Sequence, residues 1–177
     1  MESCLVVVDM QNDFVTGVLG TEEARAIVPK VVDFVASFKG DVLYTQDTHY
    51  DKRTLWDKDT STYVGSYSET QEGKKLPVPH CIEGTNGWQV IPQLNPEHII
   101  KKCSFGSLNI GDILKNYDEI HFIGVCTGIC VISNAVIAKA ANPEARIIIH
   151  KDLCACVTPE SHETAIKAME LLQMDII

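Results

Sequence analysis

The chain alternates between short unbroken apolar runs and longer stretches in which apolar residues recur every three or four positions. Cys4–Val8 is wholly apolar and rich in β-branched residues, the pattern of a strand buried on both faces. Thr21 then offers an N-cap to a helix whose Ile27, Val31, Phe34, Val35 and Phe38 share one face. Pro29 inside that stretch predicts a later start or a kink, and Gly40 an end. Further strands are predicted at Asp41–Thr45, His98–Lys101, Glu119–Val125, Ala145–His150 and Met174–Ile177. Helices are predicted at Ile110–Tyr117, Cys130–Ala141 and Pro159–Leu172, the last with proline at a tolerated first position. Strands alternating with helices predict an α/β protein with a parallel sheet, and residues 1–177 are expected to form one domain.

Residues 46–96 break the pattern. They hold four of the seven prolines, several glycines and little periodicity. A segment of this kind inside a compact domain is usually functional or partly structured. It carries Asp47, His49, Glu72 and His80.

Composition removes some classes of function. A formal net charge of -9 argues against a nucleic-acid surface, which needs a basic face, but leaves a small neutral or anionic substrate open. No run is long enough to span a membrane, and Met-Glu-Ser-Cys lacks the positive start of a secretion signal, so a cytoplasmic location is expected. The seven cysteines, odd in number and set largely in apolar runs, fit reduced thiols better than a disulfide framework. Neither Cys126 with Cys130 nor Cys154 with Cys156 has the two-residue gap typical of structural zinc sites, and the second pair reads as packing.

Chemistry concentrates where strands should end. Asp9, Lys102 and the segment Gly124–Cys130 each follow an apolar run. Loops at the carboxyl ends of parallel strands share one edge of a sheet, so the three can meet. Cys130 is expected in the first turn of a helix, where free amides and the helix dipole favour a thiolate and can also receive an oxyanion. Taken singly, Cys130 fits a buried apolar residue equally well, Asp9 a loop cap, and Lys102 a solvated surface residue.

The segments together resemble the isochorismatase-like cysteine hydrolases, and within them the nicotinamidase (pyrazinamidase) branch. Val7–Phe14, reading Val-Val-Asp-Met-Gln-Asn-Asp-Phe, matches the first motif of that family. Lys102–Ser107 resembles its lysine motif, and Gly124–Cys130 its nucleophile motif, all in family order. The resemblance implies a three-layer α/β/α fold with a six-stranded parallel sheet in the order 3-2-1-4-5-6. It implies Cys130 as nucleophile, Asp9 as general base and acid, and Lys102 as the group that orients both and draws the thiol towards thiolate. It also implies a cis peptide at Val125–Cys126 and an oxyanion hole built from the amides of Cys126 and Cys130. Because Lys102 comes from an outer strand, its loop is expected to fold back.

A metal site is implied as well. In an extended chain Asp47 and His49 point to one side, and one ion can reach both. Leu76–Cys81 resembles the nicotinamidase segment that supplies a second histidine, here His80, with Glu72 as a further ligand, direct or through water. A carboxylate and two imidazoles suit one divalent ion, zinc first, with iron and manganese also fitting. The implied substrate is a small amide, nicotinamide foremost, with another small amide, or a non-catalytic metal-binding role on the same scaffold, as alternatives. Family members often self-associate, although no interface stripe stands out here. Two positions depart from the pattern: Pro77 replaces an aromatic residue that stacks on the substrate ring, and Gly128 replaces an acid. Phe14, Tyr67 and Phe105 are the candidate replacements for that ring contact.

Overall fold

An unbroken apolar strand must find hydrogen-bonding neighbours on both edges and cover on both faces. A computed structural model, which describes residues 2–52, 54–59 and 62–177, gives Cys4–Val8 that environment. The strands are β1 (Ser3–Val8), β2 (Asp41–Asp47), β3 (Thr54–Asp57), β4 (Thr62–Val64), β5 (Ile99–Lys102), β6 (Glu119–Val125), β7 (Arg146–Ala155) and β8 (Asp175–Ile176). The helices are α1 (Asn12–Val15), α2 (Glu22–Ser37), α3 (Gln71–Lys75), α4 (Asn109–Leu114), α5 (Ile132–Ala141) and α6 (Pro159–Leu171). Six strands form one sheet in the order β5-β2-β1-β6-β7-β8, all neighbours parallel. Counted along that sheet, this is the order 3-2-1-4-5-6 that the family resemblance implies. β3 and β4 pair separately as an antiparallel hairpin.

The two faces of β1 follow its two-residue period. Cys4, Val6 and Val8 join a core with Ile110 and Leu114 of α4, Ala135 and Ala138 of α5, and Ile166 and Met169 of α6. Leu5 and Val7 face the opposite core, with Ala24, Ile27 and Val31 of α2. Thr21 caps α2 by accepting the Ala24 amide at 3.0 Å. Pro29 neither starts nor divides this helix: it sits inside α2 on the exposed side, where its missing donor faces water. α2 ends at Ser37, before Gly40. β5 is shifted one residue later than expected and therefore ends on Lys102 itself.

The larger departure is β7. Lys151 and Asp152 interrupt its apolar pattern, yet the strand continues to Ala155, with a register irregularity opposite Phe122–Gly124. The half-exposed and exposed pair is the bulge at which pairing resumes. Among the described residues no helix is long and apolar enough to cross a membrane.

At the other end of the same strands, His121 Nδ1 and His150 Nε2 lie 2.9 Å apart, and the His150 ring packs 4.5 Å from that of Phe34. Burial, then the neighbouring His121, pushes His150 from 6.5 down to about 4. The unfolded chain therefore takes up a proton that the folded one refuses between these pH values. This contribution is complete above pH 6.5 and is lost as pH falls towards 4. The urea-unfolding free energy should drop by about 1 kcal/mol more between pH 7 and pH 5 than it does in His150→Leu. Identical pH dependence in both proteins would exclude this effect.

Candidate active site

The first acid sits at the end of the central strand. Asp9 adopts a left-handed backbone, φ 48°, a region that costs a non-glycine residue about 1–2 kcal/mol and recurs at functional sites. The turn is held by its amide, which donates to the Thr45 carbonyl at 3.2 Å, and by Thr45 Oγ1, which donates to Asp9 Oδ1 at 2.7 Å.

Lys102 enters from β5, opposite Asp47 in the register of β2. No loop folds back to deliver it: its own long stem reaches past β2. Its Nζ lies 2.6 Å from Asp9 Oδ2 and 3.2 Å from Asp47 Oδ1, donates to the Ser104 carbonyl at 3.1 Å, and stands 3.5 Å from Cys130 Sγ.

Cys130 comes from the segment after β6. Gly124 lets that segment approach, since at φ 114° a Cβ would lie 2.2 Å from the Val8 carbonyl oxygen. The Val125–Cys126 peptide is cis, as implied. The regular helix expected from Cys130 begins only at Ile132. Cys130 instead lies in a π-helical turn, Thr127–Val131, in which the Val131 amide donates to the Cys126 carbonyl at 3.1 Å. Such turns are frequent at functional sites.

The electrostatics of this cluster differ from those the sequence suggests. Asp9, Lys102 and Cys130 are 0%, 2% and 6% exposed. Burial raises the Cys130 thiol well above its ordinary range; Lys102 pulls it down, while the nearby carboxylates of Asp9 and Asp47 add to the rise. These surroundings favour the thiol, against the pull of Lys102 towards thiolate. Burial also raises Asp9, against the opposing pull of Lys102, which fits it to accept a proton. Lys102 stays charged because Asp47, Asp9 and Cys130 overcome its own desolvation.

Asp47 links this cluster to a second one. While Oδ1 faces Lys102, Oδ2 lies 2.9 Å from His49 Nε2 and 3.6 Å from His80 Nε2. Glu72 Oε1 is 3.6 Å from His49 Nε2 and 3.4 Å from His80 Nε2. The loop bearing His80 is pinned beside His49, whose amide donates to the Cys81 carbonyl at 2.9 Å and whose carbonyl accepts the Glu83 amide at 2.9 Å. One potential ligand atom from each of Asp47, His49, Glu72 and His80 lies within 4.8 Å of all the others. His49 Nε2 is buried and has no well-aligned hydrogen bond. Burial alone would lower His80, yet hydrogen bonds with Asp47, Glu72 and the Val78 carbonyl hold it up at about 10. Despite burial, Lys102 and the two histidines keep the Asp47 carboxyl far below the usual range. Two carboxylates facing two inward ring nitrogens fit a divalent cation.

Both clusters open on one cavity of about 240 Å³, whose wall includes Phe14, Asp47, Glu72, His80, Phe105 and Cys130. Cys126 also lines it. Tyr67 does not. It is buried edge-on against His49 and His80, ring centroids 4.8 and 5.1 Å apart, and donates its hydroxyl to the Leu76 carbonyl. Its predicted place on the substrate wall is therefore corrected: it braces the imidazoles.

Two buried amides escape sequence reasoning. Gln11 donates to the Asp47 carbonyl at 2.9 Å and accepts the Asp47 amide at 2.8 Å, fixing that residue from β1's loop. Asn134 accepts the Ser107 amide at 3.0 Å and donates to the carbonyls of Cys130 at 2.8 Å and Phe105 at 3.2 Å. The one available sign was a polar residue on the otherwise apolar inward face of α5.

The isochorismatase domain family matches residues 3–177, and the chain belongs to the isochorismatase family of hydrolases. Among curated relatives, the nicotinamidase/pyrazinamidase of Mycobacterium tuberculosis is 25% identical over 98% of this chain and 97% of its own. The crystal structure of a Bacillus subtilis nicotinamidase covers 99% of this chain and 98% of its own, at 27% identity and a TM-score of 0.77. The pyrazinamidase of Pyrococcus horikoshii, solved in complex with zinc, shares the fold over 100% of this chain and 99% of its own, at 23% identity and a TM-score of 0.78.

Proposed function

We propose that residues 1–177 form one cysteine amidohydrolase domain that converts nicotinamide to nicotinate and ammonia. The observation that carries this reading is Asp47, whose two oxygens join the Asp9–Lys102–Cys130 cluster to the Asp47–His49–Glu72–His80 cluster at one cavity. In this scheme Asp9 takes the Cys130 proton as the sulfur attacks the carboxamide carbon. The amides of Cys126 and Cys130 receive the oxyanion, each such donor being worth about 2.7–4 kcal/mol. Asp9 returns the proton to the leaving ammonia. It then serves as base for the water that hydrolyses the thioester, regenerating the thiol and releasing the acid. Lys102 holds Asp47 anionic and keeps Asp9 and Cys130 in place while the proton moves between them. Phe14 and Phe105 flank the ring in place of the aromatic that Pro77 replaces.

A divalent ion held by Asp47, His49 and His80, with Glu72 direct or through water, would supply a Lewis acid for a ring nitrogen; zinc is favoured, with iron and manganese also suitable. The zinc-bound pyrazinamidase relative supports that assignment. A heteroaromatic amide is thereby preferred over an aliphatic one, because the ring nitrogen and the carboxamide are fixed together. The site calls for neither nucleic acid nor membrane, and a reducing, cytoplasmic setting suits the seven free cysteines.

Ammonia release from nicotinamide and a panel of aliphatic amides, with and without chelator, tests this. Nicotinamide should be preferred by about 10²-fold or more, and chelation should remove that preference. Full activity after verified metal removal would favour a metal-free member of the family acting on another small amide. No ammonia from any amide would favour a metal-binding module. His80→Ala should lower bound zinc, measured by elemental analysis, by about tenfold or more; unchanged stoichiometry and affinity would remove His80 from the ligand set.

A further inference from the structure

Cys154-Ala155-Cys156 has no part in the proposed hydrolysis, yet the extension of β7 carries it to the cavity. Val125 and Ala155, the last residues of β6 and β7, pair with each other, and a cysteine follows each of them. The paired residues just before them lie about 4.8 Å apart, a spacing that brings the two cysteines into the same neighbourhood. Cys126 and Cys156 both line the 240 Å³ cavity, and a second cavity of about 590 Å³ reaches Cys156 from the side of Ser161 and Gly128. The two side chains interact with each other, and Cys156 also feels the Ser161 side chain and the backbone of Gly128 and Val157. Those neighbours distinguish it from the packed cysteines. Burial pushes Cys4 and Cys154 up to about 12, whereas Cys126, Ser161 and the two backbone groups draw Cys156 down to about 5.

Gly128 fits the same picture. A Cβ there would lie 3.5 Å from Cys156 Sγ, so an acid at this position, as in the family pattern, would set a second negative charge over the sulfur. Glycine sets no side chain against this buried sulfur, which the two cavities reach.

We propose that Cys126 and Cys156 form an oxidisable dithiol on the cavity wall, a modification site for hydroperoxides separate from Cys130. The Cys156 thiolate attacks one peroxide oxygen. An S–O bond forms, the O–O bond breaks, and the departing hydroxide takes a proton to become water. The Cys126 sulfur then attacks the sulfenic sulfur. An S–S bond forms, the S–O bond breaks, and hydroxide leaves as water with the Cys126 proton. Two thiols lose two electrons in total, and hydrogen peroxide is reduced to two waters. Cys126 also supplies a proposed oxyanion amide, so closing the bridge is expected to suppress hydrolysis until it is reduced.

The bridge itself is tested without any amide substrate, so its failure is separable from failure of the amidase reading. The full chain and its Cys130→Ala variant are exposed to hydrogen peroxide, alkylated and digested. Fragment masses should show Cys126 linked to Cys156 in both proteins, released by dithiothreitol and absent from Cys156→Ser. The rate should change less than about threefold between pH 6 and pH 8, where an ordinary thiol would speed up by tens of fold. Gly128→Asp should slow it. Recovery of Cys126 and Cys156 as alkylated thiols after peroxide treatment would overturn the proposal. So would a rate that climbs steeply with pH.

Discussion

Cys130→Ala should lower kcat for ammonia release from nicotinamide by about 10⁴-fold or more, with bound metal unchanged. The size of the effect follows from the absence of a comparable nucleophile in place. Cys126 and Cys156 share the cavity, but neither is joined to Asp9 and Lys102 as Cys130 is. Cys130 Sγ is among the buried core atoms, yet removing it opens little space, so the variant should fold normally. Residual activity within tenfold of the parent would assign the attack to another group. Burial favours the protonated thiol, so Asp9→Asn should share much of this loss. It removes the acceptor for the proton while keeping the shape of the site.

Lys102→Met should produce the largest loss of stability among these substitutions, about 3–5 kcal/mol in urea unfolding. Lys102 is buried between two carboxylates, and its ammonium is the cation that lets both remain in an apolar setting. Removing it leaves Asp9 without a cation and facing Asp47, a repulsion that already raises Asp9 in the intact protein. Asp9→Asn should be much milder, since Lys102 keeps Asp47, the Ser104 carbonyl and Cys130 as partners. A Lys102→Met protein as stable as the parent would mean that the ion pair is offset by its own desolvation. Activity should fall by about 10²-fold or more even under conditions where the variant is folded, because both catalytic groups lose their common partner.

Much of the scaffold was legible because it depends on local pattern. Cys4–Val8 announces a central strand by having no polar position, and the alternation of cores across β1 follows from strand geometry. Asp47 and His49 were legible as a pair because positions two apart in an extended chain share a side. His80 was available only through family likeness, since its approach depends on a loop pinned to His49 across a long sequence separation. The end of β7 was hidden by Lys151 and Asp152, and with it the place of Cys156. The preference for thiol was hidden for a different reason. A helix start and a lysine both favour thiolate, and only the fold shows that burial and two carboxylates oppose them. Gln11 and Asn134 hold the site through backbone groups far along the chain, a relation with no local signature.

The acyl transfer to sulfur can be observed directly. Metal-loaded protein mixed with nicotinamide, quenched in acid during the first turnover and digested, should yield the Cys130 peptide bearing a nicotinoyl thioester. Nicotinate appearing on the same timescale with Cys130 unmodified, or with the acyl group on another side chain, would contradict nucleophilic attack by this cysteine.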